Sequence, residues 1–326
     1  MSEILGMKFM KQALMRKVLY ALAPIILASV YFFGWRSILL IAVSVLFGVL
    51  AEWAFKRRSK KPVTEAVFVT AVLYSLTLPP ATPFWVAAVG IIFGVVFGKE
   101  AFGGFGRNVF NPALVGRAFV YVSFPKFLTT EWNVPASGFP GGFGTYLTPQ
   151  VDALSTATPL ITYRSSGLMA EYLDIAFGRV SGSLGETSAI LIILAGIYLI
   201  YTKTASKETM GGVLLGYLAM STIFFATGVS QVPNPLFGLF SGGLLFGTVF
   251  MATDPISSPK SNEAKWIYGI LIGVVTVVIR GFALFAGGIM FAILIGNTFA
   301  PILDELVKYF KSQKTAKAQN GGEKIG

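Results

Sequence analysis

The sequence contains no cysteine and no histidine, and this shortage restricts the chemistry open to the chain. Disulfides, cysteine-ligated iron–sulfur clusters, histidine-ligated haem and the usual zinc sites are excluded, so we expect no metal site. Thiol nucleophiles and imidazole acid–base groups are missing as well, which argues against an ordinary hydrolase or protease. If the protein transfers electrons, it therefore needs an organic cofactor.

Charged residues are also scarce, at 13% of the chain, whereas 54% of the residues are hydrophobic. Apolar stretches of the roughly 20 residues that cross a bilayer recur along almost the whole length. A net charge of +11 is compatible with nucleic-acid binding, but the basic residues lie between apolar segments and form no face of a soluble domain. The composition predicts an integral membrane protein in contact with the lipid bilayer and without a nucleic-acid partner.

The apolar pattern predicts one polytopic membrane domain over residues 18–305. A cytoplasmic N-terminal segment (1–17) precedes it, and a basic cytoplasmic tail (306–326) follows. The predicted spans are 18–34, 37–55, 65–80, 83–98, 187–202, 210–228, 235–252, 266–280 and 282–303.

A shorter helix is predicted from Pro112 to Phe124. Asn111 suits the N-cap, Pro112 suits the first helical position, and Pro125 ends the helix. At 1.5 Å per residue it reaches about 20 Å, less than a bilayer core of about 30 Å. We expect a broken or re-entrant segment facing protein or a cavity, with a steeply tilted helix as the alternative.

Lysine and arginine placement predicts the orientation of the chain. If the N-terminus is cytoplasmic, most of the 26 basic residues, Arg117 among them, fall on the inner side, as the positive-inside rule requires. The chain is therefore predicted to be a multi-pass protein of the cytoplasmic (inner) cell membrane. The long polar insertion at about 125–185 then lies on the outer face, where an ordered loop of this length is more often functional than idle.

A glycine-rich motif runs from Gly98 to Ala113 and includes Glu100, Arg107 and Asn108. Glycine allows close backbone approach, so the motif suits a cradle for a ring system or a tight helix contact. A flexible loop explains it equally well.

A second motif, Asp254-Pro255, repeats the pattern of Asn111-Pro112: each places a polar capping residue and a proline after an apolar segment. Acidic residues at the ends of membrane segments bind cations or relay protons in other proteins, so Glu100 and Asp254 are candidates for an ion pathway. A plain helix N-cap explains Asp254 at least as well.

Two further motifs lie in or beside the long polar insertion. Thr158 precedes Pro159, which favours an extended backbone and a projecting hydroxyl, although a solvated turn is the simpler explanation. Ser183 and Glu186 have capping-box spacing, and we expect them to cap the next apolar helix. Helix N-terminal amides also suit a phosphate or an electronegative flavin edge.

In this order the motifs resemble the NqrB/RnfD family, the flavin-carrying membrane subunits of the sodium-pumping NADH:quinone reductase and of the related Rnf complex. The resemblance runs from about residue 16 to residue 305. The matching residues are Gly98-Lys99-Glu100, Gly103-Gly104-Phe105-Gly106-Arg107-Asn108, Phe110-Asn111-Pro112-Ala113, Gly116-Arg117-Ala118-Phe119, Ser183-Leu184-Gly185-Glu186-Thr187-Ser188, Ala252-Thr253-Asp254-Pro255, and Phe291-Ala292-Ile293-Leu294 followed by Asn297.

The resemblance implies a covalent cofactor. In that family FMN is attached through its phosphate to the threonine that ends a Ser-x-Ala-Thr motif, and Ser155-Thr156-Ala157-Thr158 matches it. Thr158 is thereby assigned as the FMN phosphoryl threonine, and riboflavin is added as a second, noncovalent candidate. The candidate flavin or helix-terminus contacts are Arg107, Asn108, Asn111, Arg117, Glu186 and Thr187. Proximity in sequence suggests that Lys126, Arg164 or Arg179 offsets the phosphate charge.

The fold implied by the resemblance is an all-α membrane bundle of about ten transmembrane helices, some short or broken, similar to urea transporters. The short N-terminus looks more like RnfD than the longer NqrB. The implied function is the covalent-FMN subunit of an Rnf-type ion-translocating ferredoxin:NAD oxidoreductase, which relays electrons through FMN on Thr158 and couples them to Na⁺ or H⁺ transport.

Such a chain is a translocase subunit and no enzyme alone. The implied partners are the other Rnf subunits, including an FMN subunit on the outer face. The competing hypotheses are a urea-transporter-like solute channel without redox activity and a structural subunit that never receives its flavin.

Overall fold

The structure of the chain, a computed structural model, describes residues 2–4, 7–130, 132–150, 158–186, 188–283 and 287–322. Within this part, six helices are long and apolar enough to cross a membrane. They are α1 (Ala13–Phe33), α2 (Arg36–Arg58), α4 (Phe84–Gly98), α10 (Lys207–Ala226), α13 (Asn262–Phe282) and α14 (Ile289–Gly322). The predicted all-α integral membrane protein is confirmed, and the chain is a multi-pass membrane protein.

Shorter helices fill the remainder of the bundle. The apolar ones are α3 (Ala66–Leu76), α5 (Pro112–Ser123) and α9 (Ala189–Tyr201). The long insertion holds α6 (Pro125–Thr129), a 3₁₀ turn (Gly141–Gly144), α7 (Pro159–Ser166) and α8 (Tyr172–Phe177). None of these insertion helices is long enough to span a bilayer, as the sequence predicts.

The two ends of the bundle differ in character. At one end, the insertion packs on the junction between α1 and α2, where Trp35 N donates to Thr145 O (3.2 Å) and Arg36 N donates to Tyr146 O (2.8 Å). We call this the loop end. The opposite end is basic. A recess there lies between the end of α9 and the starts of α10 and α13, and it is lined by four lysines: Lys203, Lys207, Lys260 and Lys265.

The predicted continuous span over 235–252 is interrupted in the structure. It consists of α11 (Pro235–Phe240), α12 (Leu244–Phe246) and a π-helical turn (Gly247–Met251). The break lies at Gly242, whose φ of +67° is in the left-handed region that favours glycine. Buried Arg280 donates to two backbone carbonyls at the break, those of Gly238 and Ser241. These hydrogen bonds satisfy groups that an unbroken helix would have paired internally.

The last two helices also differ from the prediction in their boundaries. α13 and α14 occupy Asn262–Phe282 and Ile289–Gly322 where the sequence suggested spans at 266–280 and 282–303. The basic tail therefore continues α14 as helix as far as Gly322, because lysine, glutamine and alanine favour helix beyond the apolar part.

A small three-stranded sheet covers part of the basic end and was not predicted. It comprises β1 (Ser2–Ile4), β2 (Met7–Met10) and β3 (Val63–Thr64). β1 and β2 are antiparallel, and β2 runs parallel to β3 with Phe9 opposite Val63. Strands of two to four residues are too short to show the alternating pattern by which a strand is predicted from sequence.

Candidate functional site

A cavity of about 280 Å³ opens toward the loop end and is the candidate site. α5 contributes Arg117, and α7 contributes Thr158 and Arg164. The turn before α9 contributes Glu186, and the helix break contributes Ser241 to Gly243. The cavity therefore gathers four sequence candidates, Thr158, Arg164, Arg117 and Glu186, which come from three separate segments of the chain.

Thr158 occupies the N-terminal end of α7. Its φ of −59° and ψ of 154° are extended, as expected for a residue before proline. The Thr158 carbonyl accepts hydrogen bonds from Ile161 N (2.8 Å) and Thr162 N (2.9 Å) and so begins the helix. A negative group on the Thr158 hydroxyl would lie beside the positive end of the α7 dipole. Ser155, Thr156 and Ala157 lie outside the described residues, as does Thr187.

Glu186 reaches the cavity because its segment is not the predicted capping box. α9 begins at Ala189 with Ser188 as its N-cap residue, so the prediction of Ser183 as N-cap is wrong. Glu186 N instead donates to Ser183 O (3.1 Å) within a turn. Leu184 N and Gly185 N donate to Leu78 O and Leu76 O at the end of α3. These tertiary hydrogen bonds replace the local cap, since the carbonyls at the end of α3 need donors.

Arg117 projects from α5 into the same cavity rather than toward the basic end, where the orientation argument placed it. The reason is that α5 starts in the middle of the bundle and runs toward the loop end. Arg117 Nη1 lies 4.0 Å from Glu186 Oε1, at the limit of an ion pair. Among the described residues, Arg117 Nη1 and Ser241 Oγ are buried and lack a hydrogen-bond partner.

These unpaired groups indicate that the cavity suits a ligand with hydrogen-bond acceptors. A buried donor left unsatisfied costs about 1–3 kcal/mol, and Ser241 is only 1% exposed. Gly243 leaves room for the Glu186 carboxylate, because a Cβ at position 243 would lie 2.4 Å from Glu186 Oε1.

Two more arginines make the cavity electropositive. Arg164 donates to the backbone carbonyls of Arg280 and Ala283, and burial together with nearby Arg280 lowers the pKa of its guanidinium. Arg280 is 3% exposed and donates to Tyr217 Oη (3.0 Å) and to Gly287 O (3.2 Å), besides the carbonyls at the helix break. No ion pair to Arg280 forms within the described part of the chain. Three guanidinium groups around one carboxylate favour an anionic ligand.

Four other predicted residues lie away from this cavity. Asn108, Asn111 and Asp254 line a second cavity, which opens toward the basic end together with Lys99. Arg107 is exposed beside Gly103. The structure thus separates Arg107, Asn108 and Asn111 from Thr158, and only Arg117 and Glu186 of the described candidate contacts share its cavity.

Asp254 and Asn111 have distinct local roles. Asp254 accepts hydrogen bonds from Ile256 N (3.1 Å) and Ser257 Oγ (3.0 Å), so it stabilises a turn and is not the N-cap of α13. Asn111 does cap α5, as predicted, by accepting from Ala113 N (3.0 Å). Asn111 Nδ2 also approaches Met251 O (3.5 Å), and Met251 lines the loop-end cavity. The two cavities therefore approach each other at the Asn111–Met251 contact.

Glu100 belongs to a group of buried charges beneath the glycine-rich motif. Its carboxylate lies 3.6 Å from Lys56 Nζ, and the neighbouring Lys99 Nζ lies 2.6 Å from Glu52 Oε2. Gly104, with φ of +92°, sits directly on this group, since a Cβ there would lie 2.6 Å from Lys56 Nζ. The close approach expected of the motif is therefore made to charged side chains. Within the described residues no three acidic side chains come together as a metal site.

Comparison with known proteins gives a consistent result. A sequence model of the NQR2, RnfD, RnfE family matches residues 7–312. The chain is 41% identical over 275 residues to the NqrB protein of the Na⁺-translocating NADH-quinone reductase of Azotobacter vinelandii, covering 82% of this chain and 65% of that protein. The protein of the same name from Yersinia pestis is 38% identical over 292 residues, covering 84% and 69%. The chain thus spans slightly less than two thirds of the Azotobacter relative.

Sequence reasoning missed Ser241 and Arg280 as residues beside the site. Ser241 has no distinguishing signal. Arg280 does, because it interrupts the apolar run of α13, and an ionisable residue inside a membrane segment is a functional candidate by default.

Proposed function

The chain belongs to the NQR2, RnfD, RnfE family, and from that premise we propose that it is the covalent-FMN membrane subunit of an ion-translocating oxidoreductase complex. Other subunits of that complex are its proposed partners, among them an FMN subunit on the outer face that delivers electrons. The basic end is the proposed cytoplasmic side, and the loop end carrying Thr158 is the proposed outer side.

The observation that supports this function is the placement of Thr158 in the electropositive loop-end cavity. An FMN phosphodiester on its hydroxyl carries a negative charge, which the α7 N-terminus and Arg164 would stabilise. Arg117 Nη1 and Ser241 Oγ, which lack partners among the described residues, would donate to the electronegative atoms of the flavin ring. The residues present therefore fit the group. FMN bound there would supply reversible one-electron chemistry. The sequence has no cysteine or histidine that could hold a redox metal for the same purpose.

The protein's own contribution is to bind, orient and electrostatically tune that group. Arg280, held by four hydrogen-bond acceptors, is a fixed positive charge behind Gly242, where a Cβ would lie 3.4 Å from its Nη2. A fixed positive charge favours the more negative, reduced state of a neighbouring group. Electron arrival at the loop end is thereby made easier.

Ion coupling is proposed to involve the basic-end cavity. Asp254 lines it, and Glu100 lies in the adjoining charged group, so both are retained as candidate pathway residues for Na⁺ or H⁺. The broken helices meet between the two cavities at Asn111 and Met251. A change of charge in one cavity would be felt in the other through this contact.

The branch of the family decides the redox partners of the complex. The sequence predicts the Rnf branch, with ferredoxin and NAD, whereas the relatives described above are named as quinone-reductase subunits. Purification of the native complex separates the two: ferredoxin-dependent NAD reduction supports the Rnf assignment, and NADH-dependent quinone reduction supports the other branch. A noncovalent riboflavin extracted from the same preparation would identify the second candidate cofactor.

Mass measurement of the native polypeptide tests the covalent cofactor. We expect one FMN phosphoester on the peptide that contains Thr158, and we expect Thr158→Ala to lose both the added mass and the fluorescence of the denatured band. Thr162→Ala, one turn along α7, is the matched control and should keep the flavin. A wild-type chain without flavin in an active complex would refute the proposal and favour a solute channel or a structural subunit, which liposome solute uptake then distinguishes.

A further inference from the structure

Glu186 is the acidic side chain that lines the loop-end cavity among the described residues. Its side chain is 16% exposed, so part of the side chain is open to the cavity. It shares the cavity with Thr158, although the two residues come from different segments of the chain. A group in this position senses any charge placed on a ligand attached to Thr158.

The charges around Glu186 come from every element packed against it. α5 contributes Arg117 and Tyr121, α7 contributes Arg164, and α13 contributes Arg280 from behind the helix break. The pairing with Arg117 is loose, because 4.0 Å is longer than a charge-assisted hydrogen bond. Burial raises the pKa of the Glu186 carboxyl, and Arg117 opposes that rise. The Ser183 hydroxyl also opposes the rise in pKa, and among the described residues no cation pairs with the carboxylate more closely than Arg117.

We propose that Glu186 binds a proton when a flavin on Thr158 is reduced and releases it when that flavin is reoxidised. The step balances as one electron from a one-electron donor in a partner subunit and one proton from the aqueous phase at the loop end. On reoxidation the electron passes to the next acceptor, and the O–H bond of Glu186 breaks to return the proton. The inference rests on the proposed function.

The physical reason is charge compensation inside a partly dry cavity. An added electron is an added negative charge near the carboxylate, and like charges in one site favour protonation of the carboxylate. Protonation in turn removes the repulsion that opposes reduction. The two equilibria are therefore linked, and each must shift the other by the same factor.

The pH dependence of the flavin reduction potential tests this linkage in the purified complex. Where Glu186 takes up the proton, we expect the reduction equilibrium to change tenfold per pH unit, about 59 mV for one electron. Glu186→Gln should reduce that slope, and Glu186→Asp should retain it. Glu171→Gln is the matched control, because Glu171 is an exposed glutamate of the same insertion.

Infrared difference spectra between oxidised and reduced complex provide a second, direct reading. Reduction should produce the carbonyl band of a protonated carboxyl group, and Glu186→Gln should remove that band. If Glu186→Gln does not assemble, the wild-type spectrum still decides, since absence of the band overturns the inference. A chain without flavin on Thr158 overturns the proposed function as well, whereas a flavin-bearing chain with an unchanged slope in Glu186→Gln overturns this inference alone.

Discussion

Replacing Lys99 with methionine removes one partner of a fully buried ion pair. Lys99 Nζ lies 2.6 Å from Glu52 Oε2, with side-chain exposures of 2% and 0%. Thr64 completes the arrangement: its hydroxyl accepts from Lys99 Nζ (2.7 Å), and its backbone N donates to Glu52 Oε1 (2.9 Å). The substitution would leave the buried Glu52 carboxylate with its hydrogen bonds from Thr64 but without its ion-pair partner.

The expected cost is large because the remaining charge is uncompensated. Breaking a buried pair from one side costs about 3–5 kcal/mol, whereas replacing both partners by apolar groups is often close to neutral. We therefore expect Lys99→Met to lower the unfolding free energy by that amount. The double variant Glu52→Leu with Lys99→Met should recover most of it.

The chain offers as a control a second ion pair with the same nitrogen–oxygen distance, but one that is exposed to solvent. Lys308 Nζ also lies 2.6 Å from a carboxylate oxygen, that of Glu305, but these side chains are 70% and 72% exposed. An exposed pair contributes little, since water solvates both charges. Thermal unfolding in detergent, followed by size-exclusion chromatography, should show a clear loss for Lys99→Met and none for Lys308→Met. Equal melting temperatures for the two variants would refute the reasoning.

The remaining expectations concern the centre of the bundle and its basic end. Asn297→Ala should lower stability by about 3 kcal/mol, because Asn297 accepts from Asn111 N (3.2 Å) and donates to Ser257 O (3.2 Å) and Tyr268 Oη (2.7 Å). The exposed Thr298→Ala is the control, and a melting temperature as high as that control would contradict the expectation. Arg16 holds the pKa of Glu65 below its ordinary 4.5, so the stability of this pair is present above that pH and lost as pH falls through the folded-state value. Glu65→Gln should therefore reduce the fall in melting temperature between neutral and acidic pH. A fall as large as that of the wild type would contradict this expectation.

The six long membrane helices were predictable because they depend on length and hydrophobicity alone. The short helix after Asn111 was equally accessible, since a capping side chain and a proline mark its start locally. The interruption near Gly242 was not, because glycine is frequent in apolar helices and only the approach of Arg280 stabilises a break there.

The candidate site was likewise only partly predictable from the sequence. Thr158 was assigned by matching a local motif to the family, whereas its neighbours come from α5, α13 and the broken helix, which no single segment encodes. Glu186 illustrates the limit: its spacing from Ser183 matches a capping box, and hydrogen bonds from the adjacent backbone to α3 override that local preference. Asn108 and Asn111 belong to the glycine-rich motif, but they line the other cavity.

The meeting of Asn111 and Met251 between the two cavities also has an electrical consequence. Where ions can enter both cavities, the insulating part of the bundle narrows to this contact, and the membrane voltage then falls mainly across it. A unit charge moved past Asn111 would then traverse most of the voltage, which corresponds to about 2.3 kcal/mol per 100 mV. Displacements of a few ångströms at this point would thus do the electrical work that elsewhere requires crossing the full bilayer.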